Sequence, residues 1–465
     1  MLMKKHKCDR RQFLQGTLAT GGGLAALTGL GSLSNLALAA QSGITHADRY
    51  FVFCYFSGGW DVLLSLDPRD PIQFNEGNKA KTRIQPGYHL LDDDGNDGSL
   101  IVSNAGITFG PYIGNLQKYA GDMSVIRGMS MDTLTHEVGR RRFITCKPPS
   151  GLLARGSSGA TWLASKLGQF EAIPNLSVRV ESYNVDQPNY ATGLKVASVP
   201  DLVRALKKSE PQMEASLDAQ LDGLLTQFSQ CQAAQKSATW QTAESSRQKS
   251  REMVSSGYDK LFDFQAKTPG MEILRDHYGI GASGNAALQS PEAQAAVAAT
   301  ALMSGISRVA SIQVASGIDA HYDDWATDHG PAQQRGFNAI CALADDLAGR
   351  QYKNSGTTWL DHTTIVGFSE FQRTALLNTR GGRDHSLTNA CFVMGAGIKG
   401  GNVVGGSSDV GMEPMRTNLN TGQHDPGGEF VYPEHILQAL MVDLGIEGDP
   451  ADLRCDPLNA ILKKP

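Results

Sequence analysis

Eleven histidines and a slight excess of acidic over basic residues are spread through 465 residues. Four places put such groups at or just past the end of an apolar run. Asp61 stands in SGGWDVLLSLDP, after the run 50–56. Thr135 and His136 stand in MSMDTLTHEVGRRRF, downstream of 123–127. Asp319 and His321 form an Asp-x-His in SGIDAHYDDW, directly after 309–315. The fourth place combines Ser369-Glu370 in IVGFSEFQRT with Asp384-His385 in GGRDHSLTN. Mixed Asp, Glu and His donors suit divalent cations such as zinc or manganese. Each group alone has a plainer use: an aspartate after a strand caps a helix or braces a loop, Glu370 can pair with Arg373 one turn on, and Asp384 can hydrogen-bond His385. Together they favour a metal, because several buried acids at neighbouring strand ends need either a metal or positively charged partners.

Such groups need a sheet to position them. Tyr50–Phe56 (YFVFCYF) is an unbroken aromatic and β-branched run that stops at Ser57-Gly58-Gly59, which predicts a buried strand entering a loop. Met123–Arg127, Leu176–Val180, Val309–Ala315, Thr363–Phe368 and Ala390–Met394 predict further strands. Helical patterns lie between them. Met213, Leu217, Leu221, Leu224, Leu225 and Phe228 recur at three and four, predicting a helix in 211–230 with one face buried against another helix. Ser290-Pro291 predicts a capped helix running into Gly305. The alternation predicts an α/β fold around a largely parallel, helix-flanked sheet, with residues 201–280 as a helical insertion. Strand-end loops of such a sheet meet along one edge, so Asp61, Asp319, His321, Glu370 and His385 are expected to face one pocket.

The N-terminus reads as an address. Residues 4–16 (KKHKCDRRQFLQG) precede an apolar, Gly- and Ala-rich run that ends in Ala37-Leu38-Ala39, the pattern of a removable signal peptide over residues 1–40. Arg10-Arg11 ahead of Gln12-Phe13-Leu14 resembles a twin-arginine export signal. The twin-arginine export machinery is then a partner, and the periplasm or another exported location the destination. Five glycines dilute the apolar run too far for a confident membrane span, and no second stretch of membrane length follows, so no stable span is expected after cleavage. The formal net charge is −5, and losing the leader's local +4 takes it to about −9. A domain of that sign gains nothing from releasing phosphate counterions, which counts against nucleic-acid binding. An apolar fraction of 41% with 19% charged residues describes a folded globular chain. The six cysteines beyond Cys8 show no metal-type spacing, and the acidic run at 92–98 reads as a solvated turn.

The leader, Gly58-Gly59-Trp60-Asp61, the Asp-x-His at 319–321, SEFQRT at 369–374, and Asp384-His385 followed by VMGAGIKGGNVVG resemble the bacterial domain-of-unknown-function family 1501. The resemblance runs from about Asp48 to about Gly445 and extends to the alkaline phosphatase and sulfatase superfamily. It implies an alkaline phosphatase-like three-layer α/β sandwich as a single domain over 41–465, with the helical insertion. It also implies an exported metal-dependent hydrolase of phosphate or sulfate esters, acting on a small molecule or a cell-envelope polymer. Asp61, Asp319, His321, Glu370 and His385, with Asp384 beside it, would hold a divalent ion: zinc, manganese, magnesium or calcium. Thr135 would be the nucleophile, and His136 or Arg140–Arg142 would stabilise the developing charge. The chain departs from the pattern at Phe371, where a second histidine would stand, and at Val62 and Gln372, which replace glycines. Those departures suit a second reading, a non-catalytic exported protein that binds a cell-envelope polymer or partner.

Overall fold

The computed structural model describes residues 48–91, 95–148, 150–208 and 213–463. The leader with Arg10 and Arg11, and part of the acidic run at 92–98, lie outside the described residues. The chain divides into two compact units, His46–Ala205 with Asp259–Pro465, and a smaller one that holds Leu206–Tyr258.

The larger unit is built around an eight-stranded sheet. Strand β1 (Tyr50–Phe56) is buried along nearly its whole length, as a strand with neighbours on both edges and helices on both faces must be. A small hairpin of β2 (Ile101–Val102) and β3 (Thr108–Phe109) stands apart. The remaining strands are β4 (Met123–Ser130), β5 (Asn175–Val178), β6 (Leu194–Val196), β7 (Val309–Ala315), β8 (Thr363–Ser369), β9 (Thr388–Gly395) and β10 (Asn402–Gly405). Their order is β10-β4-β9-β8-β1-β7-β5-β6. Every neighbouring pair is parallel except the two made by β9, which runs against both β4 and β8. The sheet is therefore mixed, though mostly parallel. All six apolar runs form strands. The short edge strands β6 and β10 had no such run, because their side chains are only partly buried.

Alternation along β1 sends neighbouring side chains to opposite faces. Phe56 meets Phe337 of the helix Gly330–Gly349, ring centroids 4.7 Å apart. Tyr55 stacks on Phe368 of β8, which lies 4.2 Å from Phe143 of the helix His136–Thr145, here α1. Helices thus cover both faces. Gly367 of β8 is the thin point: a Cβ there would fall 2.0 Å from the Phe392 ring of β9. The helix Pro291–Met303 begins as its sequence predicts, with Ser290 Oγ accepting from the amide of Ala293 and proline in the first turn.

In the smaller unit, Ala215–Ser229 and Ala238–Ser255 are helices. Their mutual contact differs from the expected apolar one. Arg251 pairs with Asp218 at 2.8 Å and Asp222 at 3.0 Å, and Arg247 also reaches Asp222. Met213, Leu217, Leu221, Leu224 and Phe228 remain between 41% and 53% exposed. These ion pairs join the two helices. No helix among the described residues is long and apolar enough to cross a membrane. All six cysteines described are free thiols.

Candidate metal centre

The ends of β1, β7 and β8 lie side by side, with Phe56 in register with both Ala315 and Ser369. Because β9 is antiparallel, the residues that precede it come to the same edge, and Thr388 pairs with Ser130 at the exit of β4. One edge therefore gathers the segments 57–61, 131–136, 316–321, 369–374 and 384–387.

Backbone pairing fixes them. The amide of Arg373 donates to Trp60 O at 3.0 Å and that of Thr374 to Asp384 O at 2.8 Å. Gly58 adopts φ +123°, and a Cβ there would sit 2.9 Å from the amide nitrogen of Asp319, so only glycine lets these two loops approach. The Gly58 amide also donates to Glu370 Oε1 at 2.8 Å. Ser369 Oγ stands 3.0 Å from Glu370 Oε2, so both oxygens of this buried carboxylate are engaged.

Three histidines face Asp319 with the same side of their rings. Asp319 Oδ1 lies 3.3 Å from His136 Nε2, 3.1 Å from His321 Nε2 and 3.7 Å from His385 Nε2. Behind each ring, Nδ1 meets a group that can only accept: Glu370 Oε1 at 2.8 Å, Asp384 Oδ1 at 2.8 Å and Leu134 O at 2.6 Å, respectively. In the neutral imidazoles the proton must then sit on Nδ1, which leaves every Nε2 as a lone pair. Three nitrogen lone pairs and a carboxylate oxygen thus converge with no proton of their own between them. That set of donors could hold a divalent cation. His136, Asp319 and His385 offer donor atoms all within 4.8 Å of one another, and His321 Nε2 lies 3.0 Å from His385 Nε2. This nitrogen-rich set with one carboxylate fits zinc or a similar transition metal better than magnesium or calcium, which prefer oxygen.

Arg373 is the fixed cation at the cluster. Its fully buried guanidinium donates to Gly59 O at 3.0 Å and Arg383 O at 3.1 Å, reaches Gly58 O, pairs with Asp319 and approaches His321 Nε2 to 3.3 Å. Burial raises the Asp319 carboxyl, but Arg373 outweighs it and holds the pKa below the usual value. Burial likewise draws His136 down, and the Glu370 hydrogen bond and the nearby carboxylates reverse this, so its pKa is raised. His385 has no carboxylate behind it, and burial leaves its pKa lowered.

The expected site residues divide into three groups. His136, Asp319, His321 and His385 come together. Glu370 and Asp384, expected as ligands, stand behind His136 and His321 and orient them. Asp61 is not drawn in: its carboxylate accepts from Trp325 Nε1 at 2.8 Å and the Leu63 amide at 2.9 Å, and pairs with Arg383 at 2.7 Å. Thr135 is the exposed N-cap of α1, and its hydroxyl lies 3.4 Å from Thr133 Oγ1. Arg140 and Arg141 pair with Glu181, while Arg142 is buried against Glu434 at 2.7 Å. Phe371, at the position of the missing histidine, packs its ring 4.3 Å from His385 and 4.9 Å from His136. Arg373, expected as a partner for Glu370 or, without a metal, for the strand-end carboxylates, pairs with Asp319, 54 positions away.

A family model described as "Protein of unknown function (DUF1501)" matches residues 48–423, a span that takes in the whole cluster. A search of the curated proteins finds no match.

Proposed function

The chain belongs to the DUF1501 family, and from that premise we propose that it is an exported metal-dependent hydrolase of phosphate or sulfate esters on an alkaline phosphatase-like sandwich. One observation carries the reading: His136, Asp319 and His385 offer donor atoms within 4.8 Å of one another, with His321 Nε2 3.0 Å from His385 Nε2 and each imidazole Nδ1 against an acceptor.

His136, Asp319 and His385 would hold the ion, with His321 beside them. A divalent ion held there supplies a Lewis acid for a phosphoryl or sulfuryl oxygen. The chain's own groups favour an anion. Asp319, Glu370 and Asp384 stand against Arg373 and Arg380, the latter 3.4 Å from Asp384, so a divalent cation tips the local balance positive. Arg373, fully buried and held by three backbone carbonyls, keeps a fixed positive charge beside Asp319. Thr135, exposed one residue before His136, is the nucleophile of this reading. The predicted leader at residues 1–40 takes the folded protein out through the twin-arginine route.

His321 supports a second reading. Were it a fourth ligand, three nitrogens and one oxygen would close a tetrahedral shell and leave no open position, as in structural sites. The protein would then be a non-catalytic binder of the cell envelope. Metal content of the purified mature protein, with activity on aryl phosphate and aryl sulfate, separates these. Metal with hydrolysis supports the hydrolase, metal without hydrolysis the binder, and absence of metal affinity overturns both forms of the metal centre.

A further inference from the structure

We propose that the mouth of this centre selects anions with an aromatic or otherwise bulky apolar group attached, an inference that rests on the ester-hydrolase reading above. Leu134 is 45% exposed, and its carbonyl holds His385 Nδ1 at 2.6 Å. Leu387 is 48% exposed two residues past His385, and its carbonyl accepts from the Met131 amide at 2.9 Å. These bonds pin 131–136 to 385–387, so two exposed leucines sit on the two segments that carry His136 and His385. On a third segment Tyr322, 56% exposed, follows His321 directly, and the Arg380 guanidinium lies 4.6 Å over its ring.

A single exposed leucine means little. Here three large apolar or aromatic side chains stand within two residues of three residues of the cluster. The polar groups nearby, by contrast, are already engaged with one another. Asp384 holds His321, Asn378 donates to His321 O at 3.1 Å and Asp384 at 3.2 Å, and Asp319 pairs with Arg373. A sugar-like group rich in hydroxyls would find few free partners among them, whereas a ring would cover leucine and tyrosine surface. Small-molecule sites of this kind combine an apolar lining with a few convergent polar groups.

Calorimetry on the full mature protein loaded with zinc, titrated with phenylphosphonate and with methylphosphonate, tests this without catalysis. Phenylphosphonate is expected to bind at least about tenfold tighter, the order of selectivity an apolar pocket gives. In the variant Leu387→Ser the ratio should fall toward one, with methylphosphonate affinity and zinc content unchanged. Equal affinities in the native protein, or a ratio that survives in the variant, overturn the apolar mouth and leave the hydrolase reading standing. Failure of both phosphonates to bind the zinc-loaded protein overturns both.

Discussion

Asp61 and Arg383 form a fully buried ion pair, Oδ2 to Nε 2.7 Å, that ties the loop after β1 to the segment carrying His385. Arg383 also donates to the carbonyls of Thr374, Gln85 and Pro86, and Asp61 accepts from Trp325 and Leu63. An aspartate placed at a strand exit in the pattern of a metal ligand is here a brace, because an arginine from the neighbouring loop reaches it.

Removing one partner of that pair should destabilise the protein strongly. Asp61→Asn leaves a buried guanidinium without its counter-charge, at a cost of about 3–5 kcal/mol, and Arg383→Met leaves the carboxylate, with a similar cost. The double variant Asp61→Leu with Arg383→Met should recover part of the loss, since no uncompensated charge remains. Urea unfolding decides: single variants as stable as the native protein would show that the pair does not hold these loops.

His329 makes stability depend on pH. It is fully buried, its Nε2 accepts from the Asp61 amide at 3.1 Å, and burial pushes its pKa down to about 4. The folded pKa lies below the unfolded value of about 6.5, so on acidification the unfolded chain takes up a proton first. The contribution is therefore complete above pH 6.5 and is lost as pH falls toward about 4, with a full extent on the order of 2–3 kcal/mol. His329→Asn should flatten the stability slope in that window by up to one proton. Unfolding in chelator at several pH values keeps the other histidines' part common to both proteins, and an unchanged slope would contradict the assignment.

Much of this architecture was legible in the sequence. The run that became β1 is apolar along its whole length, and those of β7 and β8 are mostly so, as strands covered on both faces must be, and the glycines at 58 and 59 mark where the chain turns into the site. His321 and His385 could be nominated from their position just past, or just ahead of, such runs. The antiparallel course of β9 could not, since a fully buried strand carries no sign of direction, yet that course brings His385 to the correct edge. The roles of Glu370 and Asp384 also stayed hidden. Ligand and carboxylate-behind-ligand have the same residue type and nearly the same location, and only atomic distances tell them apart. The stripe at 213–228 misled in the other direction: its spacing gave the helix, but its side chains stay about half exposed while ion pairs join the two helices.

Export should depend on Arg10 and Arg11. The pair precedes Gln12-Phe13-Leu14 and a weakly apolar, glycine-diluted run, a pattern read by a receptor rather than by the membrane. Replacing both arginines by lysine keeps the charge and should leave the precursor in the cytoplasm. Fractionation that recovers normal amounts of processed double variant outside the cytoplasm would refute this.

The metal centre yields a graded prediction. His136→Ala, Asp319→Asn and His385→Ala each remove a donor from the closest-set trio, and each should abolish stoichiometric zinc binding. Glu370→Gln keeps an acceptor for His136 Nδ1 and the Gly58 amide but loses the charge that makes the imidazole a stronger base. Zinc affinity should then fall by roughly 10- to 100-fold, with the site still formed. His321→Ala decides the number of ligands. If three protein donors suffice, as an open site for hydrolysis requires, the variant should retain about one zinc per chain with weakened affinity. Loss as severe as in His136→Ala would instead indicate a closed four-donor shell and favour the non-catalytic reading. Competition with a zinc-binding dye measures all five variants on one scale, and native affinity in Glu370→Gln would refute the orienting role given to that carboxylate.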